Sequence, residues 1–353
     1  MNTIKTTNVQ YINTLRALAT IGVILIHVSS PVLKMTYLNN MPYWWVGNIV
    51  SSLVRFPVPL FLMLSGATLL VKEYNLGEFY KKRMMRVLVP FLFWLLVYWV
   101  FRWVMLLPKQ QPHGFADISR WAIDLFMNEG VSKHLWYVYM ILFIYLFVPF
   151  IGKIVRKASQ LQLFTFLLVW AVLCFATRSM SLSFYKWNGD YLLKLLGYFE
   201  YSGYLVLGYY LNNIRIKSTK THLYATLAYL ATVVVCALAV YFMSKNDNRL
   251  NLSIYSNYSL TTILQSAAIF MLIKNIEIKN TYFNVVQNAI SNYSYGIYLA
   301  HIIVISVLFR NGIYWSFAHP LISLPLMVLM VLAGSLLFVF VLRKIPGGKY
   351  VAG

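Results

Sequence analysis

The chain has 353 residues, of which 60% are hydrophobic and 11% are charged, whereas a soluble domain averages about 25% charged residues. Its 30 Lys and Arg residues against 9 Asp and Glu give a net charge of +21. These basic residues lie mostly in short segments between apolar runs, where they set membrane topology rather than bind nucleic acid. Two isolated cysteines, Cys174 and Cys236, indicate neither a disulfide framework nor a metal site.

We therefore expect an all-α, polytopic protein that is embedded in the lipid bilayer. A membrane crossing takes about 20 apolar residues, and ten runs reach or approach that length: 10–32, 45–71, 87–106, 134–152, 160–178, 195–212, 222–244, 259–274, 288–309 and 320–342. The excess of basic residues in alternate connections, together with Lys5 and the C-terminal Arg343, Lys344 and Lys349, predicts that both termini are cytoplasmic. The longest connection, at about 107–133, falls on the opposite side. Residues 1–353 are expected to form one integral-membrane domain without an appended soluble domain or a cleavable signal peptide.

The first run contains two side chains that are unusual in lipid, Arg16 and His27. Their spacing of eleven residues is close to three helical turns, so both project from nearly the same face, roughly 16 Å apart along the axis. A guanidinium inside a membrane helix costs about 2.5–3.5 kcal/mol and normally faces the bundle interior or a wet cavity. The alternative is that Arg16 snorkels to the headgroups while His27 is a hydrogen-bonded core histidine.

The next two runs add further arginines. Arg55 precedes Pro57 and Pro59 inside an apolar run, where the prolines free backbone carbonyls for a partner or a ligand. Ser65-Gly66 permits a close approach, and helix packing is the favoured interpretation of that pair. Arg83 and Arg86 share a face at the start of the third run, which suits a phosphate-bearing ligand but is also what positive-inside topology requires.

Two segments place histidines towards the opposite side of the membrane. His134, Trp136 and Tyr137 open the fourth run, where aromatic residues are expected at the interface and can also stack on a sugar ring. In the ninth run, His301 follows Tyr298 at a depth similar to that of His27. Three histidines in the outer half and the arginines in the inner half would suit a donor with phosphates below and a neutral hydroxyl acceptor above.

In these features the chain resembles the integral-membrane acyltransferase family 3 over essentially its whole length. It is most similar to the branch that includes the O-acetyltransferase of enterobacterial common antigen. The matching pieces are Arg16 and His27 with ten residues between them, Arg55 followed by Val58-Pro59-Leu60-Phe61 and Ser65-Gly66, Arg83 and Arg86 before Pro90, His134-Leu135-Trp136-Tyr137, and the stretch from Ser294 to His301. There are two departures: Asn13 occupies a position that is often acidic, and a glutamate of another branch is missing near His134.

The resemblance implies transfer of an acyl group, most often acetyl from cytosolic acetyl-CoA, to a sugar hydroxyl of a cell-surface glycan or its lipid-linked precursor. The expected location is the bacterial inner membrane. Acetyl-CoA or another acyl-CoA would be a co-substrate, with no permanently bound cofactor and no metal.

The resemblance also suggests roles for the residues. His27 would be the general base towards the acceptor hydroxyl, with a transient acyl-histidine as the competing route. Arg16 would hold the pantetheine or pyrophosphate part of the donor, and His301 would orient the reacting groups. The other donor-binding residues would be Arg55, Ser65, Arg83 and Arg86, and the acceptor-binding residues would be His134, Trp136, Tyr137 and Tyr298.

Two other classes of function stay open at this point. A flippase or exporter of lipid-linked sugars could use the same arginine-lined interior for a pyrophosphate headgroup. A non-catalytic membrane partner of a glycan assembly system would have its histidines as ordinary core residues. Movement of a labelled acyl group from coenzyme A onto an acceptor distinguishes the enzyme from both.

Overall fold

The computed structural model describes residues 2–106, 131–179, 197–214, 219–274, 276 and 278–353, and in these ranges it contains helices and turns but no β-strand. The all-α prediction is confirmed. The helices are α1 Asn2–Met35, α2 Met41–Leu53, α3 Pro57–Leu69, α4 Leu76–Leu106, α5 Trp136–Lys157, α6 Gln160–Ser179, α7 Ser202–Asn213, α8 Thr219–Asn246, α9 Leu260–Lys274, α10 Thr281–Asn292, α11 Ser294–Arg310, α12 Pro320–Lys344 and α13 Gly348–Val351. Most of the predicted long connection, 107–130, and the start of the sixth run lie outside the described residues.

Six of the described helical segments are long and apolar enough to cross a membrane: Gln10–Met35, Met41–Leu69, Leu76–Val104, Lys133–Lys157, Lys220–Asn246 and Pro320–Lys344. Helices α10 and α11 are bent by 77° and make a seventh if they count as one span. The other predicted runs coincide with the shorter helices α6, α7 and α9. The chain is therefore a multi-pass membrane protein. Ten crossings and cytoplasmic termini stay predictions.

The second span is broken between α2 and α3. Pro57 has no N–H to donate and is tolerated in the first turn of a helix, where that N–H has no partner in the helix, which explains why a new helix begins there. Gln265 on α9 satisfies the backbone groups freed at the break. Its Oε1 accepts from the Arg55 N–H at 2.9 Å, and its Nε2 donates to the Ser52 carbonyl at 2.9 Å. Because one buried side chain forms hydrogen bonds with backbone groups on both sides of the break, the break is a stabilised part of the fold rather than a frayed helix end.

Helix α1 lies at the centre of the bundle and packs against α2, α3, α9, α10, α11 and α12. A line of neutral polar side chains joins it to α10. Thr14 donates to Gln287 Oε1 at 2.6 Å, and Asn13 Nδ2 donates to Asn288 Oδ1 at 2.9 Å. These bonds fix the rotation of α1 about its own axis, which in turn decides where Arg16 and His27 project.

Helices α3 and α7 approach each other through glycines. A Cβ atom on Gly66 would overlap the main-chain oxygen of Leu205, and one on Gly208 would overlap the main-chain oxygen of Met63. Small residues allow this approach because the two backbones then touch directly. The interpretation of Gly66 as a helix-packing residue is thus supported, and the packing holds α3 beside α1.

We expect Gly208→Ala to lower the free energy of unfolding by about 3 kcal/mol, the upper end of the usual cost of overpacking, since the overlapping atoms belong to a backbone that cannot rotate away. The measurement is the thermal unfolding midpoint of the detergent-solubilised protein. Gly77→Ala is the matched control, because an added Cβ there makes an ordinary contact at 3.5 Å with Asn75. Equal midpoints for the two variants would contradict the packing described for α3 and α7.

Candidate active site

A cavity of about 300 Å³ lies among α1, α3, α4, α5, α11 and α12. Four guanidinium groups line it, those of Arg16, Arg83, Arg86 and Arg343. No Asp or Glu stands among the described residues of its wall. Because guanidinium groups pair best with carboxylates and phosphates, a cavity with this lining favours an anionic ligand.

Arg16 is positioned by neutral partners. Its Nη1 donates to Ser291 Oγ at 3.2 Å, and that hydroxyl donates to Asn13 Oδ1 at 3.0 Å. Asn13 is the position where an acid was expected from the family pattern, and its amide completes the chain by donating to Asn288. Because an amide replaces the acid at position 13, these partners hold the Arg16 guanidinium in place without cancelling its charge.

Three histidine rings form a second feature, which we name the histidine cluster: His27, His134 and His301. The centroid of the His301 ring lies 5.1 Å from that of His27 and 5.1 Å from that of His134. His301 is fully buried and His134 is 5% exposed. His27 is half-buried and is the most exposed member of the cluster.

Hydrogen bonding fixes the tautomer of His301. Its Nδ1 lies 2.5 Å from the main-chain oxygen of Tyr298, and a carbonyl can only accept, so Nδ1 carries the hydrogen. Nε2 is then a free base, and it is buried without a hydrogen-bond partner in the described part of the chain. The Nε2 atom of His134 is also buried without a described partner, while its Nδ1 lies 2.8 Å from Ser132 Oγ.

Two tyrosines connect the cavity with the histidine cluster. Tyr137 and Tyr298 both line the cavity, and their ring centroids lie 5.6 Å apart. Tyr298 also contacts the cluster, with centroid distances of 5.6 Å to His134 and 5.8 Å to His301. The hydroxyl of Tyr298 donates to the main-chain oxygen of His134. The side chain of Tyr298 therefore forms part of the boundary of both the cavity and the histidine cluster.

A family model described as an acyltransferase domain matches residues 9–344. The chain belongs to the acyltransferase 3 family. No curated protein and no solved structure gives a significant match. The matched range contains all four cavity arginines and the whole histidine cluster, so this multi-pass membrane acyltransferase carries both features within its family domain.

The cavity brings together several of the residues that the sequence selected for the acyltransferase site. Four of the predicted donor-side or catalytic residues line it, together with two predicted acceptor-side residues: Arg16, Ser65, Arg83, Arg86, Tyr137 and Tyr298. His27 and His301 meet in the histidine cluster instead. Arg16 lines the cavity and His27 is not among its described lining residues, so the two side chains of α1 lie in separate features that meet at Tyr298.

Arg55 does not lie where the sequence placed it. It does not belong to the described lining of the cavity. At the break between α2 and α3 its Nε donates to the Ser51 carbonyl at 2.5 Å, and its Cζ lies 4.3 Å from the centroid of the Tyr255 ring. Burial raises the pKa of Tyr255 to about 12, so this ring stays neutral and binds the guanidinium through its π face. Arg55 thus lies apart from the cavity, and its donor-binding role stays a prediction.

His134 and Trp136 also lie differently from expectation. His134 was expected to line the approach of the acceptor, but it is packed under Tyr98 and against His301. Trp136 is half-buried, contacts Tyr201 at a centroid distance of 5.8 Å and does not line the cavity in the described structure. The short 3₁₀ turn Lys133–Leu135 turns the His134 side chain inward, which sequence spacing does not reveal.

Some cavity residues were missed by sequence reasoning. Arg343 was interpreted as a topology signal, and Tyr145 was not selected at all, yet both line the cavity. Ser291 lies in the ninth apolar run, but its hydrogen bond to Arg16 was not predicted. For Arg343 the available signal was its place at the same predicted membrane face as Arg83 and Arg86.

Proposed function

We propose that this acyltransferase moves an acyl group, most simply acetyl, from cytosolic acyl-CoA to a hydroxyl of a cell-surface glycan or its lipid-linked precursor. Its proposed location is the bacterial inner membrane, and its proposed relatives are the O-acetyltransferases of the enterobacterial common antigen branch. The observation that carries the proposal is the contact between the histidine cluster and the arginine cavity, whose described wall holds four guanidinium groups and no Asp or Glu. A polyanionic donor and a group able to accept a proton are the two requirements of this reaction.

The donor would bind in the cavity. Coenzyme A carries a pyrophosphate and a ribose phosphate, and guanidinium groups bind phosphate oxygens in pairs of parallel hydrogen bonds. Arg83 and Arg86 would contact these phosphates. Arg16 lies deeper along α1 and would hold the pyrophosphate or the start of the pantetheine arm. The arm itself would run along Ser65 towards Tyr298, which brings the thioester to the histidine cluster.

The acceptor would approach His27. A neutral imidazole accepts the hydroxyl proton while the oxygen attacks the thioester carbonyl, so a C–O bond forms as the C–S bond breaks. The proton then passes from the imidazolium to the departing thiolate. In the competing route His27 attacks first and an acyl-histidine transfers the group to the hydroxyl. His301 would act as a positioning residue in either route, because its ring packs on that of His27 with a fixed tautomer.

The purified protein, reconstituted in closed lipid vesicles with acetyl-CoA labelled in the acetyl group, tests this function. Labelled ester is expected on glycan lipids from the same membranes and to disappear after mild base. In parallel, mass spectrometry of surface glycans from cells with and without the gene is expected to differ by the mass of one acyl group. Translocation of lipid-linked sugar with no transfer of label would overturn the proposal in favour of a flippase.

A further inference from the structure

Arg343 differs from the other cavity arginines in how it is held. It lies at the end of α12, and its Nη2 donates to the main-chain oxygens of Gly353 and of Asn292, the latter at 3.4 Å. Its Cζ lies 4.3 Å from the centroid of the Tyr293 ring. Its Nε is buried and has no hydrogen-bond partner in the described part of the chain. Main-chain oxygens and an aromatic ring therefore hold the side chain, and the Nε–H is left as a donor without a partner among the described residues.

The segment after α12, residues 345–353, provides one of these holding groups, and we name it the tail. Gly347 adopts φ +76°, which turns the chain back towards the bundle. The tail is then anchored there: Trp94 Nε1 donates to the main-chain oxygen of Val351 at 3.1 Å, and Ala352 is fully buried. Gly353, which follows, lines the cavity.

We propose that Arg343 is a donor-binding residue that contacts a phosphate group of acyl-CoA, and that the tail positions its guanidinium for this contact. The inference rests on the proposed function. Among the described lining residues Arg343 brings a charge from the opposite end of the chain, so it widens the set of phosphate ligands beyond the pair on α4. Its neighbour Lys344 is exposed, has its Nζ 5.2 Å from the Phe340 ring centroid and does not line the cavity.

The test measures binding of coenzyme A and of pantetheine, which lacks the phosphates, to the purified full chain in detergent. Arg343→Gln is expected to weaken coenzyme A binding by about 10-fold or more, the value of a lost charged hydrogen bond, and to leave pantetheine binding unchanged. Lys344→Gln removes the same charge from the next residue and is expected to bind both ligands like the wild type. Arg343→Lys is expected to fall between the wild type and Arg343→Gln.

Trp94→Phe tests the positioning role of the tail, because it removes the indole N–H and keeps an aromatic ring. It is expected to weaken coenzyme A binding in the wild-type chain. In the Arg343→Gln chain it is expected to cause no further loss of affinity, because both substitutions then remove the same interaction. Additive losses would overturn the tail's role. If Arg343→Gln is not monodisperse on gel filtration, Arg343→Lys and Trp94→Phe decide the question.

Different experimental outcomes would overturn the role of Arg343 and the proposed acyltransferase function. Wild-type protein that neither binds coenzyme A nor transfers acyl groups would end both. Loss of coenzyme A binding in Arg83→Gln but not in Arg343→Gln would overturn the inference about Arg343 and leave the donor cavity in place. Equal losses in Arg343→Gln and Lys344→Gln would indicate general electrostatic attraction and would also overturn it.

Discussion

Replacing His27 with alanine is expected to reduce the rate of acyl transfer by about 10²–10⁴-fold, the usual contribution of a general base. His27 is the half-buried member of the histidine cluster, and its ring centroid lies 5.1 Å from that of His301, with the two rings tilted by 52°. In the acyl-histidine route the loss would be at least as large, because the nucleophile itself is removed. The measurement is the initial rate of label transfer from acetyl-CoA, normalised to the amount of folded protein.

His222→Ala is the matched control for this experiment. It removes an imidazole from the start of α8, well outside the histidine cluster, and we expect unchanged transfer. Both variants should express in membranes and elute as the wild type does on gel filtration. A His27→Ala protein that keeps transfer within a few-fold of the wild-type rate would refute the catalytic assignment and return His27 to the role of a core histidine.

The second large effect is expected at Arg16. Arg16→Gln would lower kcat/KM for acyl-CoA by about 10- to 100-fold, because a hydrogen bond to a charged group contributes about 1.5–3 kcal/mol. Asn13 and Ser291 hold Arg16 through neutral bonds, so the substitution removes a charge that no Asp or Glu of the described cavity wall balances. Steady-state kinetics at varied acetyl-CoA concentration measure the effect.

Arg249→Gln provides the comparison for Arg16→Gln. Arg249 is exposed in the connection after α8, so its loss changes net charge equally without touching the cavity. We expect wild-type kinetics from it, and partial recovery of KM when Arg16 is replaced by lysine, which keeps the charge but not the fork of donors. Identical kinetic constants for Arg16→Gln and the wild type would restrict Arg16 to a topological role.

Short-range features of this protein were predictable from its sequence. Composition and run length predicted an all-α, multi-pass membrane chain, since the bilayer sets how many apolar residues a crossing takes. The position of Pro57 within a long apolar run indicated freed backbone groups. The spacing of Arg83 and Arg86 predicted a shared face, and both line one cavity. Each of these inferences depends on neighbours within a few turns of one helix, where geometry is periodic.

The site depended on contacts between distant parts of the chain. The sequence determined that Arg16 and His27 lie on one helix, roughly 16 Å apart by helical rise. Tertiary packing decided that Tyr298 lies between the cavity that contains Arg16 and the histidine cluster that contains His27. It also placed Arg55 over the ring of Tyr255 and brought Arg343, at the end of α12, into the cavity. Helical periodicity is a local property of the backbone, whereas the meeting of helix ends depends on how whole surfaces fit together, which no spacing in one run encodes.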